Sequence, residues 1–114
     1  MSATTLRTVA DALIAAANAF DVDTVLALFA PHAVIDDPST GHRFDGYAGI
    51  RDYVERYFIG YHTTTRFLSI EMTGGETRAR LRVDFTGDFG HEVGLLNISV
   101  NADGLITRID ANLE

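Results

Sequence analysis

The 114 residues carry a formal charge of −7 and contain no cysteine. That length suits one domain with a single core, and the acidic balance argues against nucleic acid or an anionic membrane as partner. Without cysteine there is no disulfide framework, thiolate nucleophile or thiolate metal site. The N-terminus lacks an apolar signal core and no apolar run approaches membrane-spanning length, so a cytoplasmic protein is expected. No repeat or Pro/Gly/Ser-rich linker interrupts the chain, and residues 1–114 are expected to fold as one domain.

In chain order, Leu6 to Phe20 is alanine-rich and sets Leu6, Val9, Ala10, Leu13, Ala16, Ala17 and Phe20 at helical spacing. A second short helix is expected after Asp21 as N-cap, with Val25, Leu28 and Phe29 on one face and Pro31 as its stop. The run Ala33-Val34-Ile35-Asp36-Asp37-Pro38 reads as a strand that ends on two carboxylates and a proline. Ser39 to Gly46 reads as a polar loop. Tyr47 to Ile59 repeats Ile50, Tyr53, Val54, Tyr57 and Phe58 as a third helix, with Gly60 as its C′ residue.

From Tyr61 the period becomes two. Thr65–Thr73, Glu76–Thr86, His91–Val100 and Leu105–Leu113 alternate as strands, separated by Gly74-Gly75, Gly87-Asp88-Phe89-Gly90 and Asn101-Ala102-Asp103-Gly104. Short turns pair these strands antiparallel, and helices confined to the first half must cover one face. The class is α+β, a curved, mostly antiparallel sheet wrapped around three helices.

Side chains alternate along a strand, so if Ile35 faces the core, Asp37 does too, and Asp36 faces away. An inward acid is costly unless it is paired or lines a cavity. Asp37 is thus a candidate general base or acid, or equally an N-cap or turn residue, since Asp-Pro favours turns. Tyr53 and Tyr57 lie four apart on one helix face and could line the same space, or serve as core aromatics with hydroxyls at the rim. His32, His42, His62 and His91 show no ligand spacing, and no metal site is indicated.

The glycines form no nucleotide-binding pattern, and no cofactor is implied. Asp84, Asp110 and Asn112 fall by parity on the outer sheet face with Arg78, Arg80 and Arg82. There the arginines are expected to pair with Glu71, Asp84 or Asp110. Phe67, Val93 and Leu95 are expected on the same face, an apolar patch rimmed by charge that suits a subunit interface.

The ordered fragments Asn18-Ala19-Phe20-Asp21-Val22-Asp23, Ala27-Leu28-Phe29-Ala30, Ala33-Val34-Ile35-Asp36-Asp37-Pro38 and Gly46-Tyr47-Ala48-Gly49-Ile50-Arg51-Asp52-Tyr53 carry a resemblance. Together they resemble the NTF2-like superfamily, and within it the SnoaL-like and ketosteroid-isomerase-like proteins. The resemblance implies a conical apolar pocket and homodimers formed through the outer sheet face. In ketosteroid isomerases the aspartate at the position of Asp37 is the general base. A first-helix tyrosine and a protonated aspartate form the oxyanion hole opposite it. Those two positions fall here on Leu13 and on or near Leu96, neither of which donates a hydrogen bond.

Two readings with a small-molecule pocket follow. One is a cofactor-independent enzyme in which Asp37 moves a proton alpha to the carbonyl of a steroid, terpenoid or polyketide, giving isomerisation, cyclisation or elimination. Tyr53 could then stand in for the missing donor. The other is a non-catalytic domain that binds an apolar ligand. In either, the walls are expected from Leu13, Phe20, Phe29, Ile35, Tyr57, Leu81 and Val83, with Phe85, Leu96, Ile98, Ile109 and Ala111. A third reading, a dimerisation module whose cone is filled core, rests on the bulk of Phe20, Phe29, Phe58 and Phe85.

Overall fold

Alanine and leucine at helical spacing wind Ala3–Asn18 into α1, in a computed structural model that describes residues 3–75 and 77–113. Leu6, Ala10, Leu13, Ala16 and Ala17 are its buried stripe. The helix ends before Phe20, which takes a left-handed φ of 55°. Asp21 N–H donates to Ala16 O and Phe20 N–H to Ala17 O, both at 3.1 Å, the double closure that terminates a helix around a left-handed residue. Asp21 then caps α2 (Val22–Ala27), accepting from Thr24 N at 3.2 Å and Thr24 Oγ1 at 2.7 Å.

The next strand begins earlier than the sequence suggests. β1 spans Phe29–Asp37, so Phe29 belongs to the strand and Pro31 lies within it rather than ending α2. The proline is tolerated because β1 pairs irregularly there: its register with the last strand shifts between Phe29 and Val34. A 3-10 turn, Pro38–Thr40, leads into β2 (His42–Asp45), a four-residue strand inside the expected loop. Only Phe44 of β2 is buried, so no alternation announces it.

α3 (Gly46–Val54) continues as one π-helical turn, Glu55–Ile59. Gly60 does not take the expected left-handed conformation. It stays helical, and its hydrogen faces the Arg56 carbonyl, where a Cβ would come within 2.5 Å. His62 supplies the left-handed residue instead, at φ 54°.

β3 (Thr64–Gly74), β4 (Arg78–Gly87), β5 (Gly90–Val100) and β6 (Ile106–Leu113) follow. Glu76, expected to open the β4 run, lies outside the described residues. The sheet order is β2-β1-β6-β5-β4-β3, with β1 parallel to β6 and every other neighbour antiparallel. This is the expected α+β class with a curved, mostly antiparallel sheet. Leu81, Val83, Ile98, Ile106 and Ile109 pack against Leu6, Ile50 and Val54 in one core.

Two corrections follow from side-chain placement. Phe67 is opposite the buried Val83, with the Arg7 guanidinium of α1 4.0 Å over its ring, so it lies on the helix side of the sheet. A bulge between Phe67 and Ser69 then shifts the alternation. Asp84 keeps its outer position but is buried, with Arg66 Nη2 at 3.1 Å from one oxygen and His91 Nδ1 at 2.6 Å from the other. The opposite register of Val93 to Asp84 and Leu95 to Arg82 keeps those two apolar residues on the outer face.

Candidate functional site

β1 ends by turning its last residue inward. Asp37 is buried and serves at once as the cap of the 3-10 turn and as part of a cavity wall. Its Oδ1 accepts from Ser39 N at 3.1 Å and Ser39 Oγ at 2.6 Å. Its Oδ2 accepts from Tyr53 Oη at 2.7 Å. The turn reading and the inward reading of Asp37 are both realised, because the capping donors reach one oxygen and leave the other to face α3. Asp36 points outward and meets Arg108 Nη2 at 3.3 Å.

Tyr53 is fixed by rings on several sides, with Phe44 at 4.9 Å, Tyr57 at 5.4 Å and Phe58 at 5.9 Å between centroids. Burial, then the Asp37 charge, its hydrogen bond and the neighbouring Tyr57 hold the Tyr53 hydroxyl well above the ordinary tyrosine range. It therefore stays neutral and keeps its proton. That proton is engaged by Asp37, so in this conformation Tyr53 orients the carboxylate rather than offering a donor to a second oxygen.

The expected single cone is two spaces that share a wall. The deeper is an apolar cavity of about 50 Å³ between α1, α2, α3 and the sheet. Leu13, Phe29, Ile35, Tyr53, Phe85, Leu96 and Ile109 line it as the patterning anticipates. The outer space, about 370 Å³, holds Asp37, Ser39, Thr40, Tyr57 and Thr63 with Tyr61, Phe89 and Glu92. Tyr53, Phe58 and Phe85 border both, and the Phe58 and Phe85 rings meet edge to face at 6.1 Å.

Five expected wall residues are elsewhere. Leu81, Val83 and Ile98 are spent in the close-packed core, and Ala111 is buried beside it. Phe20 leaves the helical spacing of Leu13 and Ala17 at the left-handed turn and lines neither space. Sequence reasoning missed Ile14, Ala17, Val25, Val54, Phe58 and Thr65 in the deep wall. Helical spacing would have supplied Ala17 four residues after Leu13, Ile14 three before Ala17, and Val54 with Phe58 as a pair four apart. Thr65 gave no such signal.

The four histidines lie outside both cavities: His62 Nδ1 is 2.9 Å from Asp88 Oδ2, and His91 accompanies Asp84. Among the described residues no three His, Cys, Asp or Glu side chains converge on a point where a metal could sit. Nor is any described helix long and apolar enough to cross a membrane.

A curved sheet over short helices, with an acid at the end of the first strand turned toward an apolar hollow, is the NTF2-like arrangement. The model of the SnoaL-like domain matches residues 10–109, and the chain belongs to that family. A candidate ketosteroid isomerase from Kribbella flavida superposes with a TM-score of 0.83 at 21% identity, over 97% of this chain and 78% of that one. A candidate polyketide cyclase from Sinorhizobium meliloti gives 0.85 at 21% identity, over 98% and 100%. A Mycobacterium tuberculosis protein in complex with estradiol-17β-hemisuccinate gives 0.83 at 17% identity, over 96% and 94%. Comparison with curated protein sequences gives no match.

Proposed function

We propose that this SnoaL-like domain takes an apolar, carbonyl-bearing small molecule of the steroid, terpenoid or polyketide kind and moves a proton on it without a cofactor. The observation that carries this reading is the Tyr53–Asp37 hydrogen bond where the polar outer space meets the apolar cavity. Ser39 and Tyr53 fix both carboxylate oxygens, which gives a general base a set direction before substrate arrives. Asp37 accepts the proton alpha to the carbonyl and returns it to another carbon, so that the double bond shifts and no atom is gained or lost. The outer space has the size of ordinary ligand sites, roughly 300–1,000 Å³, while the deep cavity admits only the leading end of a ligand. The similar M. tuberculosis protein with its bound estradiol derivative supports the ligand class.

A second reading, binding without turnover, draws on Leu13 and Leu96. Both are in the deep wall, where ketosteroid isomerases carry hydrogen-bond donors. One assay separates the two. Turnover of a 3-oxo-Δ5 steroid is followed by absorbance of the conjugated enone, wild type against Asp37→Asn. The enzyme reading expects turnover that falls by about 100-fold or more in the variant. Binding without turnover in the wild type leaves the ligand-binding reading. The same proposal includes a homodimer through the outer sheet face around Val93 and Leu95.

A further inference from the structure

Thr65 is 7% exposed, and its hydroxyl has no hydrogen-bond partner. Most buried hydroxyls in folded proteins are satisfied, and one that is not destabilises the fold unless something else completes it. Thr65 stands in the wall of the deep cavity. Among the described residues two side chains in that wall carry a polar atom, and the other, Tyr53, has committed its proton to Asp37. The unengaged hydroxyl of the apolar cavity is therefore that of Thr65.

Its position is unusually well fixed for the start of an edge strand. Asn18, the last residue of α1, grips the Thr65 backbone from the open side of β3. Its Oδ1 accepts from Thr65 N at 2.6 Å, and its Nδ2 donates to Thr65 O at 2.8 Å. On the other side Thr65 is in register with Phe85, which borders both cavities. The side-chain amide stands in for a missing neighbour strand and holds Thr65 against the helix.

We infer that the Thr65 hydroxyl is the deep anchor for a ligand oxygen, donating a hydrogen bond to the carbonyl of the molecule whose body occupies the outer space. This deepens the reading above and rests on it. It supplies a donor inside a wall where Leu13 and Leu96 offer none. It also gives the pocket a preference for a ligand with oxygen at its leading end, since a site that leaves a polar group unmet disfavours the deoxy analogue.

The test compares 1-indanone with indane, the same bicyclic skeleton without the oxygen, by NMR titration of wild type, Thr65→Val and Thr65→Ser. Valine keeps the branched shape and removes the unmet donor, so this variant is expected to fold at least as stably as wild type, read by urea denaturation. In Thr65→Val the ketone should bind about tenfold more weakly while indane binds as before. Thr65→Ser, which keeps the hydroxyl, should hold the ketone close to wild type. If wild type binds both compounds and valine changes both alike or neither, the anchor is overturned and the pocket reading stands. If wild type binds neither, the small-molecule reading falls and takes the anchor with it.

Discussion

Tyr53 and Asp37 form a pair in which each explains the other's burial. The carboxylate needs donors once it leaves water, and it finds them in Ser39 N, Ser39 Oγ and Tyr53 Oη. The phenol needs an acceptor, and amid the rings of Phe44, Tyr57 and Phe58 it meets Asp37 Oδ2. Because the folded state holds the Tyr53 proton well above the usual range, the unfolded chain releases it first, from about pH 10. The stabilisation is complete below that pH and is lost as pH rises toward the folded value. Urea midpoints measured from pH 8 to 11 should therefore fall more steeply for wild type than for Tyr53→Phe, by up to about 1.4 kcal/mol per pH unit. At pH 7 the same variant should be about 1–3 kcal/mol less stable, since one oxygen of a buried carboxylate loses its donor. Parallel pH curves for the two proteins would remove the ion–phenol pair as the cause.

Among the elements, α1 and β3 depend on each other through Asn18. β3 is an edge strand, and its unpaired backbone groups at Thr65 are met by an amide 47 residues away. Asn18→Ala should cost about 1–3 kcal/mol in urea denaturation, because a buried N–H and C=O lose their partners together. Hydrogen exchange at the Thr65 amide should accelerate in that variant while the β4 and β5 amides remain protected; unchanged exchange would mean the clamp is incidental. The clamp also marks the limit of what patterning can reach. Period-two alternation put Ile35 and Asp37 inward, and helical spacing put Tyr53 beside Tyr57, because each rests on neighbours a few residues apart. Thr65 opens the Thr65–Thr73 run, where alternation groups it with Phe67, expected on the outer face, and its burial comes from packing against other elements. β2 was missed because a four-residue strand with Phe44 alone inside has no period to detect. The division of the hollow in two depends on how Phe58 meets Phe85, which is a matter of packing rather than of pattern.

At the scale of the whole molecule, charge is distributed unevenly between the sheet's outer face and the rest. Arg43, Arg66, Arg78, Arg80, Arg82 and Arg108 lie there with Asp36, Asp45, Glu71, Asp84 and Asp110, six of the nine basic and five of the sixteen acidic residues of the chain. That face is close to neutral, and the rest of the chain carries slightly more than the whole net charge of −7. Two copies meeting through their outer faces thus bring together the surfaces that repel least, with Val93 and Leu95 between them. The two acidic remainders still repel at longer range, and salt screens that repulsion over a Debye length of about 10 Å at 0.1 M. The proposed dimer should therefore tighten modestly from 20 to 300 mM NaCl, against the usual weakening of contacts held by opposite charge. Sedimentation velocity should give a species of twice the 12.4 kDa chain mass. Leu95→Arg should shift it to monomer, because each copy would then bury an unpaired cation where the apolar patch meets its mate. A wild type that sediments as a monomer at every salt concentration would dismiss this face as the interface. A dimer unmoved by Leu95→Arg would put the contact on some other surface.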